Sequence, residues 1–356
     1  MKKRKIAFLA GILVIVFLIY IFLGGVVKEA FQKPVRIVPE TSVWQDSEIK
    51  DFSLTNSSFV TWDDLLLSFY DLSGKEITDI GSNGYDTNIY FNENDIYFLD
   101  KQLNTVFIYD EHGELKDKIK FTGNVFNLKK IGNDYYIHKK ESKAGNSVET
   151  ISKLFKDGRE ELLYETLNYI LDFDINGSKQ LITEISTGSY GFKTTVKYIS
   201  GKDVNEFELN NEVAMKSKFL DGRGIVVTDK KLYSFKGKNK EVLEILLLKD
   251  AYIGDKEIAI LHNDTLDIYN SKLALKNKYD ILINSSNVFQ YDGGYFVYGP
   301  TDLAGYIGQN REFVHKFDTK VNSVKAKGKI LGVLFKERVE LYTFEQIIDN
   351  VENKEK

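Results

Sequence analysis

One recurrence limits what this chain can fold into. An Asn/Gly/Asp turn followed by a short apolar run returns about every 39 residues between Asn56 and Gly328, close to the period of a propeller blade. The eight runs begin with Phe59-Val-Thr-Trp62 and Ile96-Tyr-Phe-Leu99 and end with Ile330-Leu-Gly-Val333. Turns such as Asn94-Asp95, Gly132-Asn133 and Asp221-Gly222 precede them, residues that tolerate the positive φ of a tight reversal.

A second strand follows each run, marked by an aliphatic residue three positions before an aromatic. Leu67/Tyr70, Val106/Tyr109, Leu232/Phe235, Leu266/Tyr269, Val314/Phe317 and Val339/Tyr342 obey the rule, while Ser152/Phe155 and Val196/Ile199 depart from it. Asp71 and Gly74, then Asp110 and Gly113, open and close the turns that end this strand. A unit of about four strands buries only one face alone, so units must stack, and a closed ring removes exposed sheet edges. The expected fold is an all-β propeller of seven or eight blades. Eight hairpins favour eight; seven follows if the last unit, truncated after Phe344, is completed by the segment around Val35 to Val38. A helical spacing at Leu163, Leu167, Ile170 and Leu171 yields to the repeat register, which places two strands there.

Asp95-Ile-Tyr-Phe-Leu-Asp100, followed by Asn104-Thr-Val-Phe-Ile-Tyr-Asp110 and Gly113, resembles a blade of the NHL or YVTN-type propellers. Asp172-Phe-Asp-Ile-Asn-Gly-Ser-Lys-Gln-Leu-Ile182 resembles the turn of WD40- and TolB-like blades. The whole chain is similar to a family of single-pass, propeller-bearing membrane proteins of Gram-positive anaerobes, catalogued as a domain of unknown function. The resemblance implies an architecture over roughly residues 45–345 and transfers no catalytic residue, since a fold does not fix an activity.

Residues 6–27 carry no charge, enough for a helix of about 33 Å at ~1.5 Å per residue, which spans a bilayer core. Lys2, Lys3, Arg4 and Lys5 precede this stretch and place the N-terminus in the cytoplasm. The run is longer than a cleaved leader's apolar core and lacks its small-residue cleavage site. The organisation that follows is a cytoplasmic tail (1–5), a signal-anchor helix (6–27), a short stalk (28–47), an extracellular propeller (48–345) and a polar tail (346–356). Against a net charge of −4, the four basic residues leave −8 on the remainder. An acidic body is a poor partner for nucleic-acid phosphates. There is no cysteine, which excludes disulfides, thiolate metal sites and Cys nucleophiles.

No catalytic or cofactor motif stands out. Asp172, Asp174, Asn176 and Gly177 open like an EF-hand loop, but position twelve is Thr183, and a blade turn accounts for them. His112, His138, His262 and His315 fall in different units without metal-ligand spacing. Gly188-Ser-Tyr-Gly191 lacks the spacing of a nucleophile elbow, and Trp44 and Trp62 do not form a quinone-docking repeat.

Three links between first and second strands are long: 139–149, 185–193 and 299–311. Long loops on a compact repeat are where binding residues gather. All three are expected on one face, with Tyr190, Phe192, Leu303, Tyr306 and Ile307 as partner-binding tips. Two functions follow. One is a non-enzymatic, membrane-tethered binding or scaffold module whose partner is an envelope protein or cell-wall component. The other is a carbohydrate- or peptide-active hydrolase or lyase with its site at the central channel.

Overall fold

Turn chemistry and alternating apolar runs resolve into thirty-two strands and eight four-stranded antiparallel sheets in the computed structural model. It describes residues 35–82, 87–188, 191–291, 294–307 and 310–346. Blades one to seven are each one continuous piece of chain: 51–81, 87–120, 124–166, 169–210, 214–244, 248–280 and 287–316. Blade eight takes Ser323–Lys327, Ile330–Leu334 and Arg338–Gln346 from the C-terminal end and Val35–Trp44 from the N-terminal end. The propeller therefore has eight blades, and its last blade is completed by the N-terminal segment as well. Much of the expected stalk, 28–47, is thereby a blade strand. The 6–27 stretch lies outside the described residues, among which no helix is long and apolar enough to cross a membrane.

The core is divided among the interfaces between blades. Val60, Trp62, Leu67 and Phe69 of blade one pack on Ile96 and Phe98 of blade two. An equivalent cluster fills each successive interface, ending with Phe52, Phe59 and Tyr70 of blade one against Val43, Leu334, Val339 and Leu341 of blade eight. The aliphatic–aromatic signature belongs to the third strand of each sheet. There the aliphatic residue pairs with the end of the second strand and the aromatic with its start, as in Trp62↔Leu67 and Phe59↔Tyr70. In blade three the matching residues are Ile151 and Leu154, and in blade four Thr195 and Tyr198. The helical spacing at Leu163 to Leu171 is divided between the strands Glu160–Thr166 and Tyr169–Asn176.

Val35–Trp44 pairs antiparallel with Arg338–Gln346 from Val35↔Gln346 to Trp44↔Arg338, with a bulge between Pro39 and Thr41. Pro39 lacks an N–H and is tolerated because this strand is the outer edge of its sheet. Ile37 and Val43 point inward and are buried. Arg36 meets Glu345 at 3.0 Å on the rim, a contact worth at most about 1 kcal/mol when exposed. Apolar burial and the ladder itself make the clasp. Replacing residues 35–44 with a Gly/Ser linker of equal length bares an edge and half of one interface. The expected result is a lower melting temperature and concentration-dependent association, read by calorimetry and light scattering; a melt like the parent's would show that the ring closes without this strand.

Candidate interaction surface

Because each sheet is antiparallel, its turns fall on two faces. First-to-second and third-to-fourth strand turns lie on one, here the turn face. Second-to-third turns and the links between blades lie on the other, the link face.

Two of the three long loops are extended hairpins on the link face. In blade three, Glu141↔Val148 to Lys143↔Asn146 continue the ladder past the end of the first strand, whose pairing stops at Asn124↔Lys140. In blade four, Ser186↔Lys193 to Gly188↔Gly191 do the same. Phe192 sits on this second projection, opposite Thr187 and half-buried. Tyr190 lies outside the described residues.

The third loop is corrected. The link after the second strand of blade seven is only Gly299, Pro300 and Thr301, and Asp302–Ile307 is the third strand. Leu303 pairs with Tyr298 and Tyr306 with Tyr295, so these two are blade seven's own signature pair. Val314 and Phe317 belong to the fourth strand's side of the sheet. Leu303 is 0% and Tyr306 2% exposed, and the Tyr306 ring packs on Tyr279 at 5.3 Å. A middle strand between stacked blades is buried on both faces, so neither is an anchor. Ile307 ends the same strand, paired with Asn310 at the turn face.

The residues that do project were missed by the sequence reading. Leu167, Leu246, Leu247 and Leu282 occupy links between blades and are 70%, 74%, 72% and 74% exposed. Beside them, the innermost strands of blades three, four, five and six bulge at one equivalent place, between Val125 and Asn127, Ile170 and Asp172, Ala214 and Lys216, and Leu248 and Asp250. A bulge adds an unpaired residue and re-aims its side chain. The extra residues are Phe126, Leu171 and Met215 in the first three and Lys249 in blade six, all exposed. Exposed apolar residues thus lie on the link face from blade three to the link into blade seven, with Asn211 and Lys249 between them, and hairpins project at blades three and four.

Within the ring the channel is lined by a mixture of charged and apolar side chains. A cavity of about 540 Å³ is lined by Tyr90, Phe91, Lys129, Asp174, Lys218, Lys325 and neighbours from the innermost strands. Three lysines reach from one blade to the next in the same way. Lys129 bonds Asp172 and the Phe173 carbonyl; Lys216 bonds Asp250 at 2.8 Å and the Ala251 carbonyl; Lys325 bonds Asp51 at 2.7 Å and the Phe52 carbonyl. Asp172 passes the link on, accepting from Ser217 N at 2.7 Å and Ser217 Oγ at 2.9 Å. Asp250 accepts from Val288 N at 2.9 Å. Asp172 and Asp174 therefore lie on an extended strand and serve blade junctions, with Asp174 accepting from Phe219 N at 2.6 Å. Burial pushes the Asp174 carboxyl above its usual range. The channel is not plugged by apolar side chains; Lys129 and Lys325 are engaged with aspartates of the next blade, and Asp174 with a backbone N–H.

The histidines are local. His138 meets Glu149 at 2.9 Å, and Glu149 also accepts from Ile170 N of blade four at 2.7 Å. His262 meets Asp267 at 3.0 Å. Among the described residues no group of His, Asp and Glu is arranged to hold a metal ion.

No protein-family model and no curated protein sequence matches the chain. Among solved structures it is similar to BamB from Moraxella catarrhalis, with 8% identity and a TM-score of 0.55, covering 86% of this chain and 100% of that one. It also matches the WD40 domain of SCAP from fission yeast, with 13% identity and a TM-score of 0.49, covering 87% and 98%. Hsv2 from Kluyveromyces lactis matches at 11% identity and a TM-score of 0.46, covering 82% and 99%. At such identities the likeness is one of fold. It does not extend to the single-pass family that the sequence resembles.

Two measurements check these assignments. Tyr306→Ala should cost about 3–5 kcal/mol of stability, as truncation of a buried aromatic does, whereas Phe192→Ala should leave the melt nearly unchanged. Equal melts for the two would return Tyr306 to the surface. Glu184, fully buried, accepts from Tyr164, Thr166 and Asn168 of blade three and its link, and lies 3.3 Å from Lys197. Burial raises its pKa above the ordinary 4.5, outweighing Lys197. The fold then holds its proton more tightly than the unfolded chain does, so this group's contribution to stability falls as pH rises from 4.5 to the folded value. Glu184→Gln should remove that slope in urea titrations across pH; parallel profiles would refute it.

Proposed function

We propose that the chain is a non-enzymatic binding module, tethered to the membrane by residues 6–27 with the propeller outside the cell, and that it holds an envelope protein on its link face. The observation that carries this reading is the set of exposed apolar residues on the link face. Isolated apolar residues are ordinary on a surface, but a group on one face marks a contact site. Leu246 and Leu247, side by side on the link between blades five and six, and Leu282 on the next link give this surface an apolar centre, with Leu167 standing apart on the link between blades three and four. Phe126 and Met215 extend it toward the channel mouth, and Phe192 on its hairpin offers an aromatic at the rim. The charged side chains of the channel support a framework role, since Lys129, Lys325 and Asp174 are used in joining blades.

The test is crosslinking in native membranes followed by recovery of the full chain, comparing the parent, a Leu246→Asp/Leu247→Asp variant and Lys238→Asp on the turn face. A discrete crosslinked protein should appear with the parent and the Lys238 variant. It should fall at least about tenfold, ~1.4 kcal/mol, in the leucine variant, with all three melting alike. Equal recovery from all three, or turnover of a defined substrate by a chain that captures no partner, would overturn the proposal.

A further inference from the structure

An exposed apolar face beside a bilayer has two possible covers, lipid or protein. The direction of the clasp strand separates them. Val35 pairs with Gln346, and Trp44 pairs with Arg338 directly after the link-face turn at Lys336 and Glu337. The strand therefore enters at the turn face and ends at the link face. Its ten residues cover about 33 Å at ~3.3 Å each. Between the 6–27 stretch and Val35 stand the seven residues 28–34, which reach at most about 25 Å fully extended. That is shorter than the strand itself, so a tether leaving the turn face cannot pass around the ring and lay the link face on the lipid. The turn face is suited to water and headgroups: Gly132-Asn133, Gly201-Lys202 and Gly237-Lys238 are typical of its reversals.

We infer that the turn face is held toward the bilayer and that the link face, turned away from it, takes a water-soluble protein or soluble domain presenting an apolar patch. This deepens the tethered-module reading and rests on it. The seven-residue reach also confines the partner to a layer one propeller thickness above the membrane.

The chain has no cysteine, so a single introduced thiol reports alone. Full-length Lys238→Cys (turn face) and Leu246→Cys (link face) are labelled with a fluorophore. Each is placed in phosphatidylcholine/phosphatidylglycerol vesicles carrying a headgroup nitroxide. The expected result is quenching several-fold stronger at position 238 than at 246. Stronger quenching at 246, or equal quenching at both, overturns the orientation while leaving the tether in place. Release of the chain by alkaline extraction shows instead that the tether reading has failed, and the orientation with it.

Discussion

Every interface in this molecule depends on the ring being closed. The hydrophobic clusters lie between blades, so a blade with a missing neighbour exposes half a core. The last interface, between blades eight and one, brings Leu334, Val339 and Leu341 onto Phe52 and Tyr70 across almost the whole length of the chain. Val43 is close to blade one in sequence, so the distant half of the closure is the pairing of Val35–Trp44 with Arg338–Gln346. Its chain-entropy cost falls on a contact formed late, which is expected to make folding slow relative to a helical chain of this size. Once made, the closure covers the two blade faces that an open stack would leave bare.

Around the axis, charge does a different job from apolar burial. The staples of Lys129, Lys216 and Lys325 are partly exposed, at 27%, 46% and 33% of their side chains, so screening leaves each a small net stabilisation. Their value is geometric. Each lysine takes a carboxylate and the next residue's carbonyl together, which fixes the height of one innermost strand against its neighbour. Asp172 and Asp250 continue the same register into blades five and seven through backbone N–H groups. An axis stapled in this way keeps the channel open without requiring a ligand there.

The link face is where local rules are broken. Bulges in four neighbouring innermost strands place Phe126, Leu171, Met215 and Lys249 in water, and three of the links beside them carry leucines. Apolar links contribute little to the core and bring no stability of their own. Features that local stability does not explain are the ones expected at functional surfaces. The direction of the clasp strand then matters as much as its presence, because it decides on which side of the ring the N-terminal residues leave.

The repeat and its turn chemistry were legible in sequence because period-two alternation and Asn/Gly/Asp reversals are local properties, written within each blade. They determined the propeller class and favoured the blade count, and they placed strands over the helical spacing at Leu163 to Leu171. Partner strands could not be read in the same way. Leu303 and Tyr306 sit beside Gly299, Pro300 and Gly305, so they looked like loop tips until pairing with Tyr298 and Tyr295 showed them to be core. Likewise, the truncation of the last unit after Phe344 pointed to the segment around Val35 to Val38 as its completion, but the register of Val35–Trp44 on residues 338–346 was not readable. Register, bulges and faces are relations between strands that lie far apart in the chain. Only tertiary structure sets them, because a strand's side chains acquire an inside and an outside only when its neighbours are in place.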